Sequence, residues 1–329
     1  MKSIMSAALV LMVFFSASPL AARGNAEGPR IVLKAAEDHE LTYPTTQALV
    51  RMGELLEKWT RGRISIVVYP LAQLGAETQS IEATRRGEIE INRVNINLIT
   101  NIVPEFKAFA LPYIFRDDAH MHNVVDGEIG RELMRHLEPK GLVGLGFYDS
   151  GARSFYNSIR PVRAPSDLRG LRIRVQPAEL MMDMMSALGA IPIPMNFEDV
   201  YTGLQTGLVD GAENNYPSWV TKGHFETARY YTQDEHSRVP EIILFSKVVW
   251  DRLSASDREI IWKAAQDSIP YPRTLWDSIV AESVRAAETA GCGIITDVDR
   301  QAFIDAMKPV YTKHSAGLQP LIDRIRAVE

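Results

Sequence analysis

The apolar positions of this chain change spacing in a regular order. Ile31–Ala36 is a short β-prone run, after which Leu49, Met52, Leu55, Leu56 and Trp59 recur at helical spacing as far as Arg61-Gly62-Arg63. Ile64–Tyr69 is again strongly β-prone and is stopped by Pro70. Residues 78–87 predict a helix ended by Gly87, and Ile89, Ile91 and Val94 mark a third strand over 89–95. The resulting β-α-β-α-β order predicts an α/β lobe with a largely parallel sheet. Phe106 to Phe115 reads as core, residues 117–137 as one helix with acids at its start, and 142–148 as a further strand.

After Gly151 the pattern restarts, which suggests a second lobe. Leu171, Ile173 and Val175 alternate with Arg172 and Arg174, so both arginines share one face of a strand. Residues 177–188 form a helix rich in methionine (Met181, Met182, Met184, Met185), read as core filler. Val200, Leu204 and Leu208 make an apolar stripe, and 208–213 is a short strand leading into Asn214. Residues 254–290 are helical for about ten turns, with Pro270 and Pro272 placing a kink in the middle. A late strand over 292–296 and helical spacing to the end complete the chain. There is no repeat and no linker tract, so the lobes should be joined by strand crossovers.

Length agrees with two lobes, because 329 residues exceed the size at which one core stops growing. A formal net charge of −5 argues against nucleic acid or anionic lipid as partner. Lys2, an apolar run over 4–17, Pro19 and Ala21-Ala22 read as a cleaved secretory signal over 1–22 and place the mature protein in the periplasm. That run falls short of the ~20 residues that span a bilayer. Cys292 is the only cysteine, so no intramolecular disulfide is possible. His120 and His122 fall on opposite sides of a helix, a poor metal pair. No zinc, redox, nucleophile-elbow or P-loop motif occurs, and neither cofactor nor metal is expected.

The candidate chemistry lies between Gly151 and His236. An arginine inside an apolar strand, as Arg174 is, needs an anionic partner if buried. The partner is either an internal carboxylate or a ligand's; the guanidinium fork matches both. Asn214 and Asn215 are turn formers or ligand-facing amides. His236 with Glu213 is the one acid–base pair an enzyme would use, and no nucleophile or metal set accompanies it.

The motifs Gly151-Ala152-Arg153, Arg160-Pro161-Val162, Asp167-Leu168-Arg169-Gly170-Leu171-Arg172-Ile173-Arg174-Val175, Val209-Asp210-Gly211-Ala212-Glu213-Asn214 and His236 resemble the DctP-type extracytoplasmic solute receptors of tripartite ATP-independent periplasmic (TRAP) transporters. Gln73-Leu74-Gly75-Ala76-Glu77 and Leu111-Pro112-Tyr113 in the first half are similar to the same family. The resemblance covers essentially the whole mature chain. It implies a two-lobed α/β periplasmic binding protein with strand hinges and a long, kinked helix crossing both lobes. Lobe I would be 27–150 plus about 240–275, and lobe II 151–239 plus about 276–329. It implies that Arg174, rather than Arg172, pairs with the ligand carboxylate, that Arg153 supports the anion, and that Asn214, Phe197, His236 and Asn95 meet the ligand, with Glu77 at the cleft rim. One departure stands out: the family's usual proline after Glu-Asn is replaced by Asn215, followed by Tyr216. Both are expected to add polar contacts, which suits a hydroxylated ligand. The partners implied are a small carboxylate and the small and large membrane subunits, which supply the ion coupling, with the receptor itself a monomer. A sugar acid such as a uronate ranks first as ligand, a C4-dicarboxylate second and an aromatic or keto acid third. A periplasmic lyase or hydrolase is the rival of another class.

Overall fold

A computed structural model describes residues 28–329. The signal read over 1–22 lies outside the described residues. Eleven strands are present among the described residues: β1 Ile31–Ala36, β2 Ile64–Tyr69, β3 Ile91–Asn95, β4 Leu142–Tyr148, β5 Arg153–Asn157, β6 Arg172–Val175, β7 Ile191–Pro194, β8 Gly211–Asn214, β9 Tyr230–Ser237, β10 Glu241–Ser246 and β11 Gly293–Ile295. They form two sheets. The first has the order β2-β1-β3-β10-β4, the second β11-β9-β5-β8-β6-β7. β1 is parallel to both β2 and β3, as the β-α-β-α-β reading predicts. β10 enters antiparallel between β3 and β4.

The chain passes between sheets at residues 149–152, from β4 to β5, and at 238–240, from β9 to β10. At each end of these crossings the strands are paired, Tyr148 with Glu241 in the first sheet and Arg153 with Ser237 in the second. Ser150 Oγ donates to Val239 O at 2.9 Å and ties the two crossings together. The hinge is therefore a narrow pair of bonded strand segments.

A third connection is helical. Ala255–Ser268 packs on the helix Pro44–Thr60 and on β4. Pro270–Thr289 then runs beside the helix Tyr216–Thr221 of the second lobe and leads to β11. Only Ile269 separates the two helices, and its φ of −56° and ψ of −43° remain helical. The expected interruption is thus a gap in the hydrogen-bond ladder, since Pro270 and Pro272 lack an N–H.

Each sheet is covered by buried Leu, Ile, Val, Phe and Met side chains. Met181, Met184 and Met185 are core, as the methionine-rich helix suggested, in a cluster that also holds first-lobe Phe106 and Phe109. Three expectations need correcting. Residues 117–137 form two main helices, Asp118–Asp126 and Glu128–Arg135, because Gly127 is extended at φ −79° and ψ −163°. Leu208 is 55% exposed and does not belong to the stripe of Val200 and Leu204. The final helix, Gln319–Ala327, does not stay with lobe II: His120 Nε2 lies 2.8 Å from Ile325 O, and Arg116 Nη1 donates to Arg326 O at 3.0 Å. No described helix is long and apolar enough to cross a membrane.

Gly151 marks the first crossing. Its φ is +61°, and a Cβ there would lie 2.6 Å from Cε2 of Trp276, on the long helix. Left-handed strain and overpacking add, so Gly151→Ala should lose roughly 2–3 kcal/mol. Urea unfolding of the variant is expected to show a lower midpoint at unchanged slope.

Candidate ligand-binding site

The ends of the strands nearest the crossings carry the polar residues. On the first lobe, β3 reads Ile91-Asn92-Arg93-Val94-Asn95, all buried, and alternation puts Arg93 and Asn95 on one face. Arg93 is fully enclosed by acids. Its Nε donates to Glu37 Oε2 at 3.0 Å and its Nη1 to Glu241 Oε2 at 2.7 Å. Nη1 also reaches Glu77 Oε1 at 3.4 Å, and Nη2 bonds Glu37 and Asp38. Asn95 links the same acids, with its N–H on Glu77 Oε1 at 2.9 Å and its Nδ2 on Glu241 Oε1 at 2.8 Å.

One guanidinium cannot neutralise four buried carboxylates. Burial pushes Glu37 up to about 7 despite Arg93, and raises Glu77 well above the usual carboxylate range. Burial also opposes ionisation of Asp38, but Arg93 together with neighbouring groups, Lys222 among them, outweighs it and holds that group well below its ordinary value. His39 stacks on Tyr43 with ring centroids 3.7 Å apart, and burial keeps its imidazole neutral by lowering its pKa well below 6.5. Glu37, Asp38 and His39 offer ligand atoms within 4.8 Å of one another, the only such metal-competent group among the described residues. Arg93 bonds both acids, so the position of a cation is already taken by the guanidinium.

On the second lobe, two buried arginines are treated differently. Arg153, at the start of β5, is matched by a carboxylate: Nε and Nη2 grip Glu213 at 2.7 and 2.8 Å, and Nη1 donates to Asn214 Oδ1 at 2.8 Å. Burial opposes charge on Glu213, yet Arg153 and His236 hold it down at about 2. Arg174, near the end of β6, is 2% exposed, and its single hydrogen bond within the described protein is from Nε to Met195 O at 2.9 Å. Its guanidinium stands 5.8 Å from the Phe197 ring centroid, and burial lowers its pKa because no carboxylate is paired with it.

These groups face one another across a polar cavity. Asp38, His39, Glu77, Arg93, Asn95 and Glu241 line it from lobe I, and Arg153, Arg174, Gln176, Phe197, Asn214 and Asn215 from lobe II. Larger grooves elsewhere are more apolar and lack this convergence of charge. The lobes are closed on one another around the cavity. Tyr43 Oη pairs with Ser218 Oγ at 3.0 Å, Asn97 Nδ2 donates to Gln176 Oε1 at 2.7 Å, and Lys222 Nζ donates to Asp38 O at 3.0 Å.

Of the residues singled out from sequence, Arg174, Arg153, Asn214, Asn95, Phe197 and Glu77 therefore share one cavity, although Arg153 is occupied by Glu213. Three need correction. His236 lies behind the wall: Nδ1 is 3.0 Å from Asp234 Oδ2 and Nε2 3.5 Å from Glu213 Oε2, with its ring stacked on Phe155. Asn215 borders the cavity, but its amide is spent. It caps the helix Tyr216–Thr221 through Ser218 N at 2.8 Å and donates to Ser150 O at 2.7 Å. Tyr216 points the other way, stacking on Tyr231 at 4.0 Å and donating to Gln233 Oε1 at 3.2 Å. Sequence reading missed Arg93 and, apart from Glu77, its acids. The alternation that singled out Arg174 was present in β3 and applied equally to Arg93.

A hinged pair of α/β lobes that closes on a polar cavity with one unpaired guanidinium defines a receptor for a small anion. The family model for bacterial extracellular solute-binding protein, family 7 (DctP), matches residues 35–317, and the chain belongs to that family. It is 38% identical to a solute-binding protein of Chromohalobacter salexigens over 273 residues, 83% of this chain and 81% of the relative. A TRAP periplasmic solute-binding protein from a Bradyrhizobium species, solved with α/β-D-galacturonate, is 46% identical, with a TM-score of 0.88 over 89% of this chain and 99% of that one. Another, from Pseudomonas putida with D-glucuronate, is 37% identical, with a TM-score of 0.88 over 91% and 98%. Family and structural neighbours are substrate-binding receptors.

His236 has a measurable signature. Burial disfavours its charge, but Asp234 and Glu213 override it and raise the pKa from 6.5 to about 9. A raised folded pKa gives stability that is complete below about 6.5 and lost as pH rises through 9. Between those values the native protein should lose up to roughly 3 kcal/mol relative to His236→Asn. Urea unfolding at pH 6, 7.5 and 9 should give the variant the flatter profile.

Proposed function

We propose that this protein captures a sugar acid of the uronate class between its lobes and delivers it, as a periplasmic monomer, to the membrane subunits of a TRAP transporter. The observation that carries this reading is Arg174, a buried guanidinium with no carboxylate partner among the described residues. A ligand carboxylate on its two free nitrogens would supply the missing anion. The opposite wall, rich in carboxylate oxygens and amides, suits hydroxyl groups, which both donate and accept. The galacturonate and glucuronate held by the two neighbours agree with that chemistry. The protein acts by binding and closure. Contacts to both lobes favour the closed form, so ligand and closure are linked. It is read as a receptor without catalysis, because His236 is locked between two carboxylates behind the cavity wall.

Calorimetry with D-glucuronate and D-galacturonate tests this. Losing two charge-assisted bonds should weaken binding roughly 100-fold or more in Arg174→Ala. Arg174→Lys should also bind poorly, because the charge remains and the fork is lost. Near-normal binding by Arg174→Ala would overturn the carboxylate assignment.

A further inference from the structure

We propose that the carboxylates gathered around Arg93 act as a charge filter, so that the site takes acids with one carboxylate and refuses the corresponding diacid. This rests on the uronate reading above and extends it to specificity.

The two walls of the cavity differ in their capacity for anions. Lobe II offers Arg174 without a counter-charge, room for one carboxylate. Lobe I has the reverse imbalance, with Glu37, Asp38, Glu77 and Glu241 arranged around Arg93 alone. Glu77 Oε2 and Asp38 Oδ2 accept no hydrogen bond from a nitrogen or hydroxyl donor among the described residues, and both acids line the cavity. A ligand seated on Arg174 therefore presents its far end to carboxylate oxygens. A hydroxyl there can bond Asp38 and Glu77 whichever of them carries a proton, whereas a second carboxylate meets the charge of Asp38, which is held well below its ordinary pKa.

The other basic groups near this wall among the described residues are neutral or already engaged. His39 is kept neutral by burial. Lys222, at the rim, is turned to Asp38 O at 3.0 Å and lies 3.5 Å from Glu40. Arg153 is held by Glu213. The raised pKa values of Glu37 and Glu77 support the same conclusion, since this wall does not keep all its own acids ionised at neutral pH. It has no capacity for another negative group.

The test compares three ligands on the unaltered protein by calorimetry: D-galacturonate, galactaric acid and the monoamide of galactaric acid. The last two share one open-chain skeleton and differ by a single charge. Galacturonate should bind, and the monoamide should bind at least roughly 30-fold more tightly than the diacid, as like-charge repulsion across a poorly solvated site implies. Asp38→Asn should narrow that ratio about tenfold, because one of the repelling charges is gone. Equal binding of diacid and monoamide would overturn the filter while leaving the uronate reading intact. Binding of galacturonate with no binding of either open-chain acid would also overturn it, since shape would then be the barrier. Failure of both galacturonate and glucuronate to bind would overturn the uronate reading, and the filter with it.

Discussion

A guanidinium withdrawn from water must be given an anion, and this protein meets that constraint in three different ways. Arg153 receives Glu213 from the neighbouring strand and becomes part of the scaffold. Arg93 is given more acid than it can balance. Arg174 is given none. The three side chains have the same chemistry and comparable burial, so the partner assigned to each determines its role. The unpaired one is the proposed anion site, the overpaired one the proposed hydroxyl-accepting wall, and the matched pair would otherwise be inert. Instead that pair anchors Asn214 at the cavity edge through the 2.8 Å bond from Arg153 Nη1.

The scaffold brings these charges together by placing them at strand ends close to the crossings. Asp234, His236, Glu213 and Arg153 form a buried chain running along β9, β8 and β5 beside the hinge. Removing one member would leave a buried charge uncompensated, which is costly in a poorly solvated interior. The chain thus couples the local order of the hinge to the position of Asn214. His236 belongs to this chain, which is why a residue so close in sequence to the site contributes from behind it.

The strand–helix order of the first lobe was legible because it rests on local spacing, and the parallel pairing of β1 with β2 and β3 followed from it. That a buried arginine in β6 would need an anion was legible from the apolar residues around it, whereas the choice of Arg174 over its face-mate Arg172 came from the family resemblance. The direction in which Asn215 and Tyr216 point was not, because it depends on which side of the turn after β8 meets the other lobe. Asn215 is consumed by a helix cap and by the hinge carbonyl of Ser150, both set by tertiary placement. The four acids around Arg93 come from three separate segments, so no window of sequence shows them as a group. The return of the last helix to the first lobe was likewise invisible, since His120 and Ile325 are far apart along the chain.

The bonds of Tyr43 to Ser218, Asn97 to Gln176 and Lys222 to the Asp38 carbonyl join one lobe directly to the other, independently of whatever occupies the cavity. Under the proposed reading an acid is recognised by Arg174 and the cavity walls, and its release also requires these perimeter bonds to part. A membrane subunit competing for that perimeter would discharge the cargo without ever touching the group that recognised it.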